Sequence, residues 1–195
     1  TLTVTISGIP DGASLDNISR NVPPISGGSV TLTAEQLAGL TITPPPNSDV
    51  DFTLSVTATS TDGIGGPSAS TGPQLLQVTV NPVADAPTLT VQPTSGNEDT
   101  AIDLGSQITA ALVDPSETLT VTIDGIPAGV TLDNTSHNVP PISGGSVTLT
   151  AAQLVGLTIT PPPNSDVDFA LNVTATSTDG VGGPNASTGP QTLQV

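Results

Sequence analysis

The chain has 195 residues and a formal net charge of −16, built from 17 Asp and Glu against a single basic residue, Arg20. A chain this acidic lacks the basic footprint that nucleic acid or an anionic membrane surface requires, which excludes both as direct partners. With no Cys, Met, Trp or Tyr and only two Phe, it has neither disulfides nor a thiolate metal site.

The predicted elements begin at once. In residues 1–6, Leu2, Val4 and Ile6 alternate with threonines, the period-two signature of a half-buried strand. Turn residues fill 8–12, and a second alternating strand follows at 29–33. Thr33-Ala34-Glu35-Gln36-Leu37 predicts a short helix, because Thr33 and Gln36 have capping-box spacing. Strands are expected at 40–43, 52–57 and 75–80, separated by Pro44-Pro45-Pro46-Asn47 and by the glycine-rich loop Asp62-Gly63-Ile64-Gly65-Gly66-Pro67. Asn81-Pro82-Val83-Ala84-Asp85-Ala86-Pro87 reads as a stiff, extended connector. Beyond it, 89–91 and 101–104 are expected to open a second module.

At Thr118 the pattern starts again. Residues 1–78 align with 118–195 without a gap, and about 13 of the 78 pairs differ. That is a repeat whose unit is a whole domain rather than a solenoid turn. The expected organisation is a first β-sandwich repeat at 1–84, without a counterpart of the strands that open the second, and a second repeat at 85–195. The chain starts without Met and reads as an excerpt of a longer tandem array. Seven or so short strands per module, with frequent turns, predict an all-β fold of tandem immunoglobulin-like sandwiches. Phe52 and Phe169 are the expected aromatic core residues, Asp11, Asp16, Asp124 and Asp133 ordinary turn residues. No apolar run approaches the length of a membrane span and no signal-peptide profile is present, so no membrane insertion is expected.

Catalysis is not expected, nor a small-molecule substrate. Acid–base or nucleophilic chemistry wants His, Cys, Lys or a partnered carboxylate. The one His, His137, stands where the other copy has Arg20, and there is no Lys. The acidic residues are more informative because they gather in loops. Asp49-Val50-Asp51 recurs as Asp166-Val167-Asp168, Asp85 lies in the connector, and Asn97-Glu98-Asp99 precedes a strand. Asp114-Pro115-Ser116-Glu117 lies before the Thr118 strand, and Asp62 and Asp179 sit in glycine-rich loops. Loops of a sandwich collect at its two ends, where carboxylates without Lys or Arg partners repel one another. A hard divalent cation with oxygen ligands, calcium being the usual one, relieves that repulsion. The alternative is plain solvated charge.

Asp49-x-Asp51-Phe52 leading into Leu54-x-Val56-x-Ala58, with a connector ending Asp85-Ala86-Pro87, resembles cadherin repeats. Asn97-Glu98-Asp99-Thr100-Ala101-Ile102 and 116–121 are similar to the cadherin-like repeats of large bacterial adhesins of the RTX type. The resemblance implies a calcium site at each junction between adjacent repeats. Asp49, Asp51 and Asp85 would serve one junction, joined by Asp114, Asp179, Asn81 through its carbonyl, and Glu117. Glu98, Asp166 and Asp168 would serve the next. The connector has fewer acidic positions than a cadherin connector, which implies fewer or weaker ions. The implied function is that of an extracellular spacer on a bacterial cell surface, stiffened by Ca2+ and holding a distal ligand-binding region away from the cell. The rival expectation is a ligand-binding module, for glycan, ice or a like module, using threonine-rich strand faces such as Thr1-x-Thr3-x-Thr5 and Thr41-x-Thr43. The Asn-x-Ser/Thr triplets at Asn17, Asn134, Asn172 and Asn185 match a glycosylation pattern that is discounted in a bacterial protein.

Overall fold

The computed structural model describes residues 1–195 and is all-β, with every paired strand antiparallel. The chain divides into two compact units, Thr1–Asn81 and Pro82–Val195. No helix is long and apolar enough to cross a membrane.

Unit 1 contains β1 (Leu2–Ser7), β2 (Ser14–Asp16), β3 (Ser29–Thr33), α1 (Ala34–Leu37), β4 (Thr41–Thr43), β5 (Phe52–Thr61), β6 (Ser68–Ser70) and β7 (Gln74–Val78). Its main sheet runs β3-β1-β5-β6, with β7 also on β5, while β2 and β4 form a separate ribbon. The alternation read from the sequence sets the faces. Val4 and Ile6 of β1 lie opposite Leu32 and Val30 of β3, all buried, and Ala58 and Val56 of β5 complete the row. The intervening threonines line the other face, where Thr5 bonds Thr31 and Thr59 bonds Ser70 through their hydroxyls.

Unit 2 repeats this plan and adds to it. Its elements are β8 (Thr88–Val91), β9 (Ile102–Asp103), a 3-10 turn (Gly105–Gln107), β10 (Ile108–Ala111), β11 (Thr118–Asp124), β12 (Thr131–Asp133), β13 (Ser146–Thr150), α2 (Ala151–Leu154), β14 (Thr158–Thr160), β15 (Ala170–Thr178) and β16 (Asn185–Gln194). A four-stranded sheet, β13-β11-β15-β16, faces two smaller ones, β10-β8 and β12-β14-β9. Val121, Ile123, Leu149, Leu171, Val173 and Leu193 from the large sheet share one core with Leu89, Ile108, Ile102 and Ile159 from the small ones. Sheets with one apolar face each are satisfied by this packing, the logic of a sandwich.

The capping box predicted for α1 is present, and Thr150 and Gln153 reproduce it at α2. Three-residue strands β2 and β6, and the turn and strand after β9, carry too little alternation to be read in advance. Asp16, Asp124 and Asp133 end strands instead of occupying turns. Phe52 and Phe169 pack at the margin of the cores, half-buried. Asn17 and Asn134 are buried anchors. Each amide donates from Nδ2 to two carbonyls at the end of the short helix, Gln36 and Ala38 in unit 1 and Gln153 and Val155 in unit 2, at 2.8–2.9 Å.

Candidate metal centre

The site is built where the chain enters unit 2. Asp85 precedes β8, and Asp114 and Glu117 bracket the turn that delivers the chain into β11. That turn is closed by its own side chains. Ser116 donates from its backbone N–H and from its hydroxyl to Asp114 Oδ1 at 2.8 and 2.7 Å, and Glu117 N–H reaches Asp114 O at 3.3 Å. The Asp114-Pro115-Ser116 sequence is suited to this, since Asp bonds the backbone two residues on and Pro fixes the turn.

Two contacts hold Asp85 over the turn. Its backbone N–H donates to Glu117 Oε1 at 2.7 Å, and its carbonyl accepts from the fully buried Ser177 hydroxyl of β15 at 2.5 Å. The result brings one carboxylate oxygen from each of Asp85, Asp114 and Glu117 within 4.8 Å of one another. Asp114 and Glu117 are buried, at 4% and 5% exposure. Glu117 Oε2 is buried with no hydrogen-bond partner.

Such a group of carboxylates is costly as it stands. At an effective dielectric near 20, each ionised pair about 5 Å apart repels by roughly 3 kcal/mol. A buried carboxylate oxygen without a donor adds a desolvation penalty of its own. Unit 2 contains no Lys or Arg to offset either, since the chain's one Arg, Arg20, lies in unit 1, 4.0 Å from Glu35. The buried cluster can hold a metal ion, and oxygen-only donors suit a hard cation.

The other sequence-derived candidates fall in three places. Asp49, Asp51 and Asn81 are exposed and belong to unit 1, where Asp51 Oδ1 accepts from Val80 N–H at 2.8 Å. Glu98, Asp166 and Asp168 are exposed in unit 2. They line a cleft of about 460 Å³ together with Asn97, Phe169 and Val195. Asp179 is buried two residues beyond Ser177, and its N–H donates to Pro184 O at 3.1 Å across the glycine-rich loop. Within unit 2, therefore, the expected set separates into the Asp85–Asp114–Glu117 cluster and the Glu98–Asp166–Asp168 cleft. The role of Ser116 and Ser177 in fixing the cluster has no signal in the sequence beyond the Asp-x-Ser spacing of the turn.

One further carboxylate is perturbed outside the cluster. Asp103 accepts from the Ser106 hydroxyl and from the Ser106 backbone N–H, and these bonds hold its carboxyl below the ordinary aspartate range.

No family model matches the chain, and comparison with curated proteins gives no match.

Proposed function

We propose that this chain is a calcium-stiffened spacer, a pair of non-catalytic cadherin-like modules from an extracellular bacterial adhesin of the RTX type. The observation that carries the reading is the Asp85–Asp114–Glu117 cluster, two of its three members buried, with its unpartnered Glu117 Oε2 and no Lys or Arg in the unit. A calcium ion there would tie the connector residue Asp85 to the turn before β11, so that the chain's entry into the module becomes rigid. Three protein carboxylates leave room for water or further oxygens in a coordination shell of about six to eight. Extracellular modules with such sites fill in the range of about 10⁻⁴–10⁻³ M calcium, so the ion would load after export. The near-identity of the two repeats supports a spacer, because length grows by copying a module that need recognise nothing. Threonine hydroxyls that bond one another across strands, as Thr122 does with Thr148 at 3.0 Å and Thr176 with Ser187 at 2.8 Å, are engaged within the sheet. That counts against the rival reading of a threonine face built for a glycan or ice.

The test is thermal unfolding of the whole chain in EDTA and then in about 5 mM calcium, an excess over that range. Binding to the folded state alone would stabilise unit 2 by about 1–2 kcal/mol, a shift of several degrees. Asp114→Asn and Glu117→Gln are expected to abolish the calcium response. An unchanged melting curve would return the cluster to plain acidic charge and send attention to glycan binding.

A further inference from the structure

The four Asn-x-Ser/Thr triplets, at Asn17, Asn134, Asn172 and Asn185, have the same pattern but unequal surroundings. Attachment of a sugar at such a triplet needs a free side-chain amide nitrogen, a hydroxyl two residues on, and a stretch of chain that an enzyme can reach.

Asn17 and Asn134 fail the first requirement. Both are buried, at 5% and 8% exposure, and each Nδ2 already donates to two carbonyls at the end of a short helix. An amide nitrogen has two hydrogens, so neither residue can react without unmaking that corner. Asn172 fails the last requirement. Its side chain is exposed, but it lies in β15, between β11 and β16 in the four-stranded sheet. Asn172 pairs with Asp124 on one side and with Thr192 on the other. The triplet cannot lift into an active site unless the strands part.

Asn185 differs in each respect. It is the first residue of β16, the outer strand of that sheet, and follows the glycine-rich turn 179–184. Asn185 and Ser187 are both exposed. The Thr178 hydroxyl donates to Asn185 Oδ1 at 2.7 Å, which turns Nδ2 the other way and leaves both its hydrogens free. Ser187 Oγ shares a bond of 2.8 Å with Thr176 Oγ1 and keeps capacity for another. The side-chain bonds that tie β16 to residues 87–89 begin only at Thr188. Unit 1 has Ser68 at this position, so the triplet belongs to unit 2 alone.

We propose that Asn185 is the acceptor for an N-linked sugar on the folded chain, the one triplet of the four that the fold leaves open. The donor class is a nucleoside diphosphate sugar. Asn185 Nδ2 attacks the anomeric carbon, and the new N–C bond forms as the C–O bond to phosphate breaks. The nucleoside diphosphate leaves with the electron pair, and one Nδ2 proton passes to a base of the transferring enzyme. A bulky hydrated group here stands over the outer edge where β16 begins and obstructs pairing with the edge of another chain. The site shares no residue with the Asp85–Asp114–Glu117 cluster.

The experiment incubates the intact folded chain with nucleoside diphosphate glucose and a soluble asparagine glucosyltransferase, chosen as one that glucosylates a synthetic peptide of residues 182–190. Intact mass and electron-transfer fragmentation then count and place the sugars. One hexose is expected, at Asn185. Addition at the other three triplets should be about tenfold slower or more, because each reacts only through opening of the fold. Asn185→Gln and Ser187→Ala should each abolish the addition, whereas Ser187→Thr should keep it. A folded chain that stays unmodified under these conditions would overturn the proposal. So would addition that begins at Asn17, Asn134 or Asn172, or that survives Ser187→Ala.

Discussion

Ile42 and Ile159 sit in identical surroundings of sequence, Thr-Ile-Thr-Pro-Pro-Pro, yet one is half-buried and the other fully enclosed. Leu76 and Leu193, and Ser60 and Ser177, diverge further, exposed in unit 1 and fully buried in unit 2. Local pattern assigns a residue to the apolar face of a strand. Whether that face is dry depends on a second layer drawn from elsewhere in the chain. In unit 2 the layer is β8 to β10, and it converts a one-sided sheet into a sandwich around a single core.

The largest expected effect comes from deleting the same side chain in both units. Leu193→Ala removes a fully buried leucine and should cost about 2–5 kcal/mol, whereas Leu76→Ala should cost well under half of that. Separate unfolding transitions of the two units, followed by residue-resolved hydrogen exchange or NMR against denaturant, report the difference. Equal costs would mean that unit 1 is as fully packed in solution as unit 2.

Gly105→Ala attacks the covering layer directly. A Cβ there would lie 2.0 Å from Leu154 O and 2.9 Å from Leu157 N, both backbone atoms, so the 3-10 turn must move off the edge of β14. A loss of about 1–3 kcal/mol is expected in unit 2 and none in unit 1. Faster amide exchange at Leu104 and Gly105 would locate the damage.

Asn17→Ala and Asn134→Ala make the opposite prediction. Each amide closes the end of a short helix through the same two bonds, independently of β8 to β10. Both should lose a similar amount, about 1–3 kcal/mol. A much larger loss in unit 2 alone would show that the covering layer reaches this corner.

The smallest effect is a pH dependence confined to unit 2. The bonds from Ser106 hold the folded Asp103 carboxyl below its unfolded value near 3.9. Their contribution is therefore complete above that value and fades as pH falls through the lower, folded pKa. Solvent screens this exposed group, so the change is small. Ser106→Ala should flatten the difference in acid stability between the units below about pH 4, read from melting curves at successive pH.

Much of the scaffold is legible in the residues themselves. Alternation placed β1, β3, β5 and β11, because a strand with one dry face needs apolar side chains at every second position. The Thr33–Gln36 and Thr150–Gln153 spacing placed both helices for an equally local reason, two backbone donors answered within one turn. Strands as short as Ser14–Asp16 or Thr131–Asp133 offer no such period, since they exist by pairing with β4 and β14. The candidate site divides in the same way. Asp85, Asp114 and Glu117 stood out by type, as acids in loops without basic partners. Their convergence to within 4.8 Å was fixed by Ser177, Ser116 and a backbone N–H reaching across 32 positions of sequence. The sequence by itself determined the repeat, the all-β character and which residues carry charge, because each is written in composition and short-range periodicity. Only the tertiary structure decided which carboxylates meet and which apolar faces are covered, because both depend on distant segments packing in three dimensions.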